Sequence, residues 1–109
     1  MEARPRKIKV YVRLNGRAPF EEWIARLHDT RTKARIFTRI DRMRFGNFGD
    51  YKSVGQGVFE LRIAYGPGLR VYFGLVGADV VLLLVGGDKA SQAGDIRCAQ
   101  RYWKEFQDG

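Results

Sequence analysis

The stretch ELRIAYGPGLRVYF, from Glu60 to Phe73, decides the fold because it encodes two strands joined by a short turn. Successive residues in a strand point to opposite faces of a sheet. One face of this hairpin is therefore apolar, and the other carries Glu60, Arg62, Arg70 and Tyr72. The apolar face must pack against helices, so the sequence predicts that the four polar side chains share one open face.

The residues around this hairpin extend it into a larger sheet. Strands are predicted over residues 58–64, 69–76 and 79–85, and their short connections favour an antiparallel meander. A half-buried strand is predicted over residues 7–14, because its side chains alternate in polarity. Its apolar side chains are Ile8, Val10, Val12 and Leu14, and its other face carries Lys7, Lys9, Tyr11 and Arg13.

Three segments have the apolar spacing of amphipathic helices. The first runs from Ala18 to about His28, and the second runs to about Phe45 with Asp29 or Thr30 as its cap. Residues 46–57 are rich in Gly and Asn and predict a loop. The last helix extends from about Ser91 to Gln107. The order β-α-α-β-β-β-α, with helices and strands largely segregated, predicts a single α+β domain over residues 1–109.

The overall charge restricts the partners of the chain. Lys and Arg number 20 against 12 Asp and Glu, so the net charge is +8 in 109 residues. Such a surplus favours nucleic acid, anionic lipid or an acidic protein as a partner. No stretch has the length of a membrane span or the pattern of a signal peptide, which favours a cytoplasmic protein without a membrane partner.

Metal and thiol chemistry find little support in the sequence. Cys98 is the only cysteine and His28 the only histidine, so a zinc site of the usual kind is not expected. No clustered carboxylates suggest magnesium, and no GxGxxG motif follows a strand. We therefore expect neither a metal nor a cofactor.

The charged hairpin face has two interpretations. Glu60 and an arginine can form a cross-strand ion pair on an ordinary solvated face. Alternatively, the arginines can bind phosphate, for which the guanidinium group is well suited. In that case Lys89, after the last strand, and Lys52, in the preceding loop, would lie at the rim of the site.

The chain resembles the RelE/ParE toxin superfamily of bacterial toxin–antitoxin pairs, and most closely its phage-derived, HigB-like addiction module killer branch. The resemblance rests on three segments: FEEWIARLHDTRTKARIFTRIDRMRFGNFGD, SVGQGVFELRIAYGPGLRVYF and VVLLLVGGDKASQAGDI. It implies a RelE-like fold, in which an antiparallel sheet is backed by an N-terminal helical hairpin. It also implies a cognate antitoxin, usually of the helix-turn-helix type.

The resemblance further implies an activity. Many members are ribosome-dependent endoribonucleases that bind RNA and inhibit translation by cutting mRNA without metal, whereas ParE-like members inhibit DNA gyrase without catalysis. Arg70 matches the most dependable active-site arginine of the nucleases. Arg62 and Lys89 fall near other basic positions, and Lys52 fits less closely.

The general base is not fixed by these motifs. Cleavage would use the 2′-OH of the RNA as nucleophile, with positioning, charge stabilisation and proton transfer supplied by the protein. Glu60, Tyr72 or a lysine among basic neighbours are candidate bases. Related nucleases often carry a Tyr or His near the terminal helix, where this sequence has Asp95 and, later, Tyr102.

Overall fold

A computed structural model describes residues 4–109 as a five-stranded sheet with three helices. The strands lie in the order β1-β5-β4-β3-β2; β1 is parallel to β5, and the other pairs are antiparallel. The α+β class and the three-strand meander are therefore confirmed. The elements are β1 (Lys7–Val10), α1 (Pro19–Arg26), α2 (Thr30–Arg44), β2 (Tyr51–Ser53), β3 (Phe59–Ile63), β4 (Leu69–Val76), β5 (Val80–Asp88) and α3 (Gln92–Asp108).

Several strand boundaries differ from the sequence prediction, and one of them is the end of β5, which extends to Asp88 instead of residue 85. β1 ends at Val10, because the backbone N–H of Arg13 bonds to the carbonyl of Arg17 and the chain turns away from the sheet. Val12 and Leu14 are consequently exposed instead of buried. The predicted loop 46–57 contains the short edge strand β2, which pairs only with β3.

The first face of the sheet is covered by α1 and α2. Asp29 caps α2 by accepting a hydrogen bond from the backbone N–H of Arg31 at 3.0 Å, as the sequence predicted. The ring of Trp23 lies directly over Gly86 of β5, where any β-carbon would collide with it. This core contains the predicted apolar faces of both helices and of the hairpin: Phe20, Trp23, Ile36, Ile40, Met43, Leu61, Ile63, Leu69, Val71 and Phe73.

The second face of the sheet is partly covered by α3, and this corrects the prediction of an open hairpin face. Trp103 of α3 lies over Gly74 of β4, again at a point where a β-carbon has no room. Tyr11 and Tyr72, both assigned to the polar faces of their strands, are buried here. The α3 helix lies mainly against β5 and β4, and its Gln92 side chain reaches Glu60 of β3. Arg62, next to this contact on the same face of β3, keeps 36% of its side chain exposed.

No helix within residues 4–109 is both long enough and apolar enough to cross a membrane.

Candidate nucleic-acid interface

The register of β3 and β4 brings the four predicted polar side chains together. Glu60 lies opposite Tyr72, and Arg62 lies opposite Arg70. The N-terminus of α3 adjoins this group, since the side chain of Gln92 donates a hydrogen bond to Glu60 at 2.8 Å. The candidate site therefore lies where the covered part of the sheet face meets the uncovered part.

Glu60 is the centre of the cluster and has no solvent-exposed surface. Its Oε1 accepts from Arg62 Nε at 2.9 Å, and its Oε2 accepts from the Tyr72 hydroxyl at 3.0 Å in addition to Gln92. Burial alone would raise the pKa of Glu60, but the hydrogen bonds from Gln92, Arg62 and Tyr72 outweigh it and hold the pKa below its ordinary value. The buried carboxylate is thus ionised at neutral pH, and both of its oxygens accept hydrogen bonds from neighbouring side chains.

The two arginines compete for this one carboxylate. Arg62 forms a close ion pair with it, whereas Arg70 Nε remains 3.8 Å from Glu60 Oε2, too far for a hydrogen bond. The side chain of Arg70 is only 12% exposed, and its Nε has no hydrogen-bond partner among residues 4–109. Like charges directly opposite each other destabilise a sheet, and a buried donor without a partner costs free energy. Both costs would fall if an anion bound between the guanidinium groups.

Tyr72 is fully buried, and its hydroxyl donates a hydrogen bond to Glu60. Burial, together with the charge of Glu60 and the bond to it, raises the pKa of Tyr72 far above its ordinary value. Neither Tyr72 nor Glu60 therefore lies on an open face, contrary to the sequence prediction. The physical reason is the coverage by α3, which the local pattern of the hairpin does not encode.

The two predicted lysines lie at the rim. Lys52 is exposed on β2 directly opposite Glu60. Lys89 is exposed just after β5, and a β-carbon placed on Gly68 would lie 3.0 Å from Arg70 Nη1 and 3.5 Å from the Lys89 β-carbon. Gly68 has a φ of +80° and no side chain, so it lets the turn bring Lys89 and Arg70 together.

Asp95 is the second carboxylate of this region. Its Oδ2 accepts a 2.5 Å hydrogen bond from the Ser91 hydroxyl. The same oxygen occupies the space that a β-carbon on Gly87 would need, and Gly87 is the residue of β5 that pairs with Arg70. Burial is the main cause of a raised pKa for Asp95, and the charge of Asp88 adds to it. Asp95 is half-buried, so part of its side chain is accessible to solvent.

Other candidate groups lie elsewhere. Tyr102 is ten residues beyond Gln92, about 15 Å along the helix axis, and packs against Tyr11. His28 is exposed after α1, and Cys98 is half-buried with only a weak contact from Arg101 at 3.8 Å. Within the described residues, no three His, Cys, Asp or Glu side chains are grouped as metal ligands.

Sequence reasoning missed Gln92 as a member of the cluster. Glutamine carries no charge, and its helix is separated from β3 by the whole of β4 and β5 along the chain. The only available signal was its position in the first turn of a helix that begins directly after the last strand. That signal was too general to select the residue.

Comparison with known proteins shows that the chain is similar to a bacterial protein. Over 87 residues the chain is 48% identical to a Haemophilus influenzae protein named "Uncharacterized protein", covering 80% of this chain and 88% of the relative. The two proteins belong to one family. No family model matches the chain, and no solved structure matches it significantly.

Proposed function

We propose that this member of the family is the toxin of a type II toxin–antitoxin pair, a metal-independent endoribonuclease that cuts mRNA on the ribosome. The observation that carries the proposal is the opposed pair Arg62 and Arg70, held beside one buried carboxylate with an unsatisfied Arg70 donor. This arrangement suits a phosphate group, which accepts several charge-assisted hydrogen bonds. The net charge of +8 and the resemblance of the hairpin to RelE-like nucleases support the same conclusion.

The proposed reaction needs no nucleophile from the protein. The 2′-oxygen of the RNA attacks the adjacent phosphorus, the bond from phosphorus to the 5′-oxygen breaks, and a 2′,3′-cyclic phosphate and a 5′-hydroxyl result. The proton of the 2′-OH passes to a base, and the leaving 5′-oxygen takes up a proton. Arg70 and Arg62 stabilise the negative charge that develops on the phosphate oxygens, with Lys89 and Lys52 holding the neighbouring strand.

Glu60 and Tyr72 act as positioning residues in this proposal. A carboxylate with no exposed surface and hydrogen bonds from Arg62, Tyr72 and Gln92 cannot approach a 2′-OH without breaking those bonds. Tyr72 is equally buried, and its raised pKa opposes the loss of its proton. Their contribution is to fix the arginines, because a preorganised charge stabilises a transition state better than a mobile one.

Asp95 is the proposed proton acceptor. It is half-buried, it lies against Gly87 across from Arg70, and its raised pKa brings it closer to the range in which a general base is effective. Ser91 holds the carboxylate in place through its hydroxyl.

The partners follow from this activity. A toxin that acts catalytically must be held inactive in the cell that makes it, so we propose a stable complex with a cognate antitoxin, of the helix-turn-helix type common in the family it resembles. The ribosome as target places the activity in the cytoplasm. A basic site of this kind favours an acidic or polyanionic partner.

The test is cleavage of a defined mRNA on purified ribosomes in the presence of EDTA. We expect cutting to continue, to leave a 2′,3′-cyclic or 3′-phosphate end, and to stop when the nucleotide 5′ of the cut is 2′-deoxy. Cutting that EDTA abolishes would overturn the mechanism. Intact mRNA together with DNA-cleaving, stalled gyrase would instead support a ParE-like gyrase inhibitor, with the arginines as contacts to a protein partner.

A further inference from the structure

A second basic site lies on the opposite side of the β3–β4 hairpin from the Arg62–Arg70 pair. It is a pocket of about 190 Å³ between α2 and the end of β3. Arg35, Arg39 and Arg42 recur on α2 at spacings of four and three residues, so they share one face of the helix. The pocket is lined by Arg35, Thr38, Arg39, Arg42, Ile63, Ala64 and Tyr65.

The lining of this pocket carries a surplus of positive charge. No carboxylate lines it, and neither Arg35 nor Arg42 forms an ion pair within residues 4–109. Burial first, and then the positive charge of Arg42, lower the pKa of Arg39, while the negative charge of Asp50 opposes them. Three arginines therefore line one pocket whose lining includes no carboxylate, an arrangement that an anion would stabilise.

The pocket is also held in a defined shape. Arg39 donates from Nη1 to the backbone carbonyl of Arg62 at 2.6 Å and from Nη2 to that of Phe48 at 3.1 Å. Gly49 leaves room for this guanidinium, since a β-carbon at that position would lie 2.8 Å from Arg39 Nη2. The guanidinium of Arg35 lies over the ring of Tyr65, 5.0 Å from its centroid. Arg39 and Arg35 are thus held in place before a ligand binds, which lowers the entropic cost of binding.

We propose that this pocket binds a phosphate of the nucleic acid backbone, at a second point on the strand that the Arg62–Arg70 pair engages. The identification of that strand as RNA rests on the proposed function. Three arginines line the pocket together with Thr38 and Tyr65, and arginine is the residue best suited to bidentate recognition of a phosphate group. The strand would pass around the β3–β4 turn, and the bond from Arg39 to the Arg62 carbonyl couples the two sites mechanically.

The experiment measures binding without cleavage. A fluorescent single-stranded oligodeoxynucleotide, which lacks the 2′-OH, is titrated against the full chain at several salt concentrations. Each phosphate contact to a single strand contributes about −0.7 to the slope of log K against log salt. Arg42→Gln and Arg35→Gln should each weaken binding and make the slope shallower by about 0.7. Both side chains are exposed, so the variants should keep the wild-type circular dichroism spectrum.

Arg44→Gln is the matched control, because Arg44 lies on the same helix but pairs with Asp41 at 3.5 Å outside the pocket. It should leave the slope closer to wild type than either pocket variant does. A titration with inorganic phosphate should also shift the Nε–Hε NMR signal of Arg39, which a general loss of surface charge would not explain.

Equal slopes for the wild type, Arg42→Gln and Arg35→Gln would overturn the phosphate site. Tighter binding of polyglutamate than of the oligonucleotide, with the same two variants affected, would also overturn it and assign the pocket to an acidic protein. These results are separable from the proposed function, because RNA cleavage can fail while the pocket binds phosphate, and the pocket can fail while cleavage persists.

Discussion

Arg62 and Arg70 lie directly opposite each other in adjacent strands, yet both guanidinium groups approach the single carboxylate of Glu60. One negative charge therefore serves two positive charges, and the group is left with a net positive charge in a partly desolvated position. Electrostatic interactions are stronger there than in bulk water. The arrangement lowers the stability of the sheet locally, and it leaves two guanidinium groups in position to bind an anion. Such local costs in stability are found at functional sites.

Replacing Arg70 with alanine should abolish most of the activity and leave the fold intact. Its Nε has no hydrogen-bond partner, and its ion pair with Glu60 is long, so the free energy of unfolding should fall by less than about 2 kcal/mol. The rate of mRNA cleavage should fall on the order of 10²–10³-fold if Arg70 stabilises the transition state. Urea unfolding and the ribosome cleavage assay measure the two effects. Arg44→Ala serves as a control, and full activity of the Arg70 variant would show that the site is misplaced.

Replacing Glu60 with glutamine should destabilise the protein at neutral pH by about 3 kcal/mol or more, because Arg62 and Arg70 then lack their counterion. The folded-state pKa of Glu60 is lower than its unfolded value, so the wild-type carboxylate stabilises the fold above about pH 4.5 and loses that contribution as the pH falls through the folded pKa. The stability difference between wild type and variant should therefore narrow at low pH. Urea titrations at pH 7 and pH 3 measure it; a constant difference would argue that Glu60 is not ionised in the fold.

Removing the hydroxyl of Tyr72 separates positioning from catalysis. Tyr72→Phe keeps the buried ring and deletes one hydrogen bond to a charged acceptor, which should cost about 1.5–3 kcal/mol of stability. Cleavage should remain within about tenfold of wild type in conditions where both proteins are folded. A loss in the range of 10²–10⁴-fold, typical of a missing general base, would contradict the positioning role.

Asp95 should govern the acidic limb of the pH–rate profile. The carboxylate accepts a proton only when ionised, and its raised pKa moves the loss of activity to a higher pH than for an ordinary aspartate. Asp95→Asn should therefore lower the rate on the order of 10²–10⁴-fold and flatten that limb. Single-turnover cleavage between pH 4.5 and pH 8 tests this. Ser91→Ala removes a hydrogen bond that lowers the pKa of Asp95, so it should move the acidic limb to a still higher pH. An unchanged profile in Asp95→Asn would exclude this residue as the acceptor.

The pairing of the hairpin was predictable because it depends on local rules. The two-residue period of Glu60, Arg62, Arg70 and Tyr72, together with a short turn, fixes which residues share a face. The structure confirms that these four side chains are neighbours. The helical faces were equally predictable, since Phe20, Trp23 and their neighbours recur at helical spacing.

The burial of Glu60 and Tyr72 was not predictable from the hairpin alone, because it depends on α3, which follows much later in the chain. A signal was nevertheless present in the run VVLLLV of β5. Leu82 and Leu84 face α3, whereas Val81 and Leu83 face the other helices. A strand that is apolar on both faces indicates helices on both sides of a sheet. The arginine pocket on α2 lacked any comparable signal, because a row of arginines on a helix usually indicates a solvated face.

Contacts between residues early and late in the chain affect when the protein can fold during its synthesis. The hydroxyl of Tyr11 bonds to Glu105 at 2.9 Å, across 94 residues of sequence, and β1 pairs with the late strand β5. Contacts between residues so distant in sequence form slowly and only when both partners are available. A nascent chain whose α3 segment is still inside the ribosomal tunnel has no partner for Tyr11 and no Gln92 to hold Glu60. The arginine pair therefore acquires its fixed geometry only after the segment from Gln92 to Glu105 has emerged and packed on the sheet.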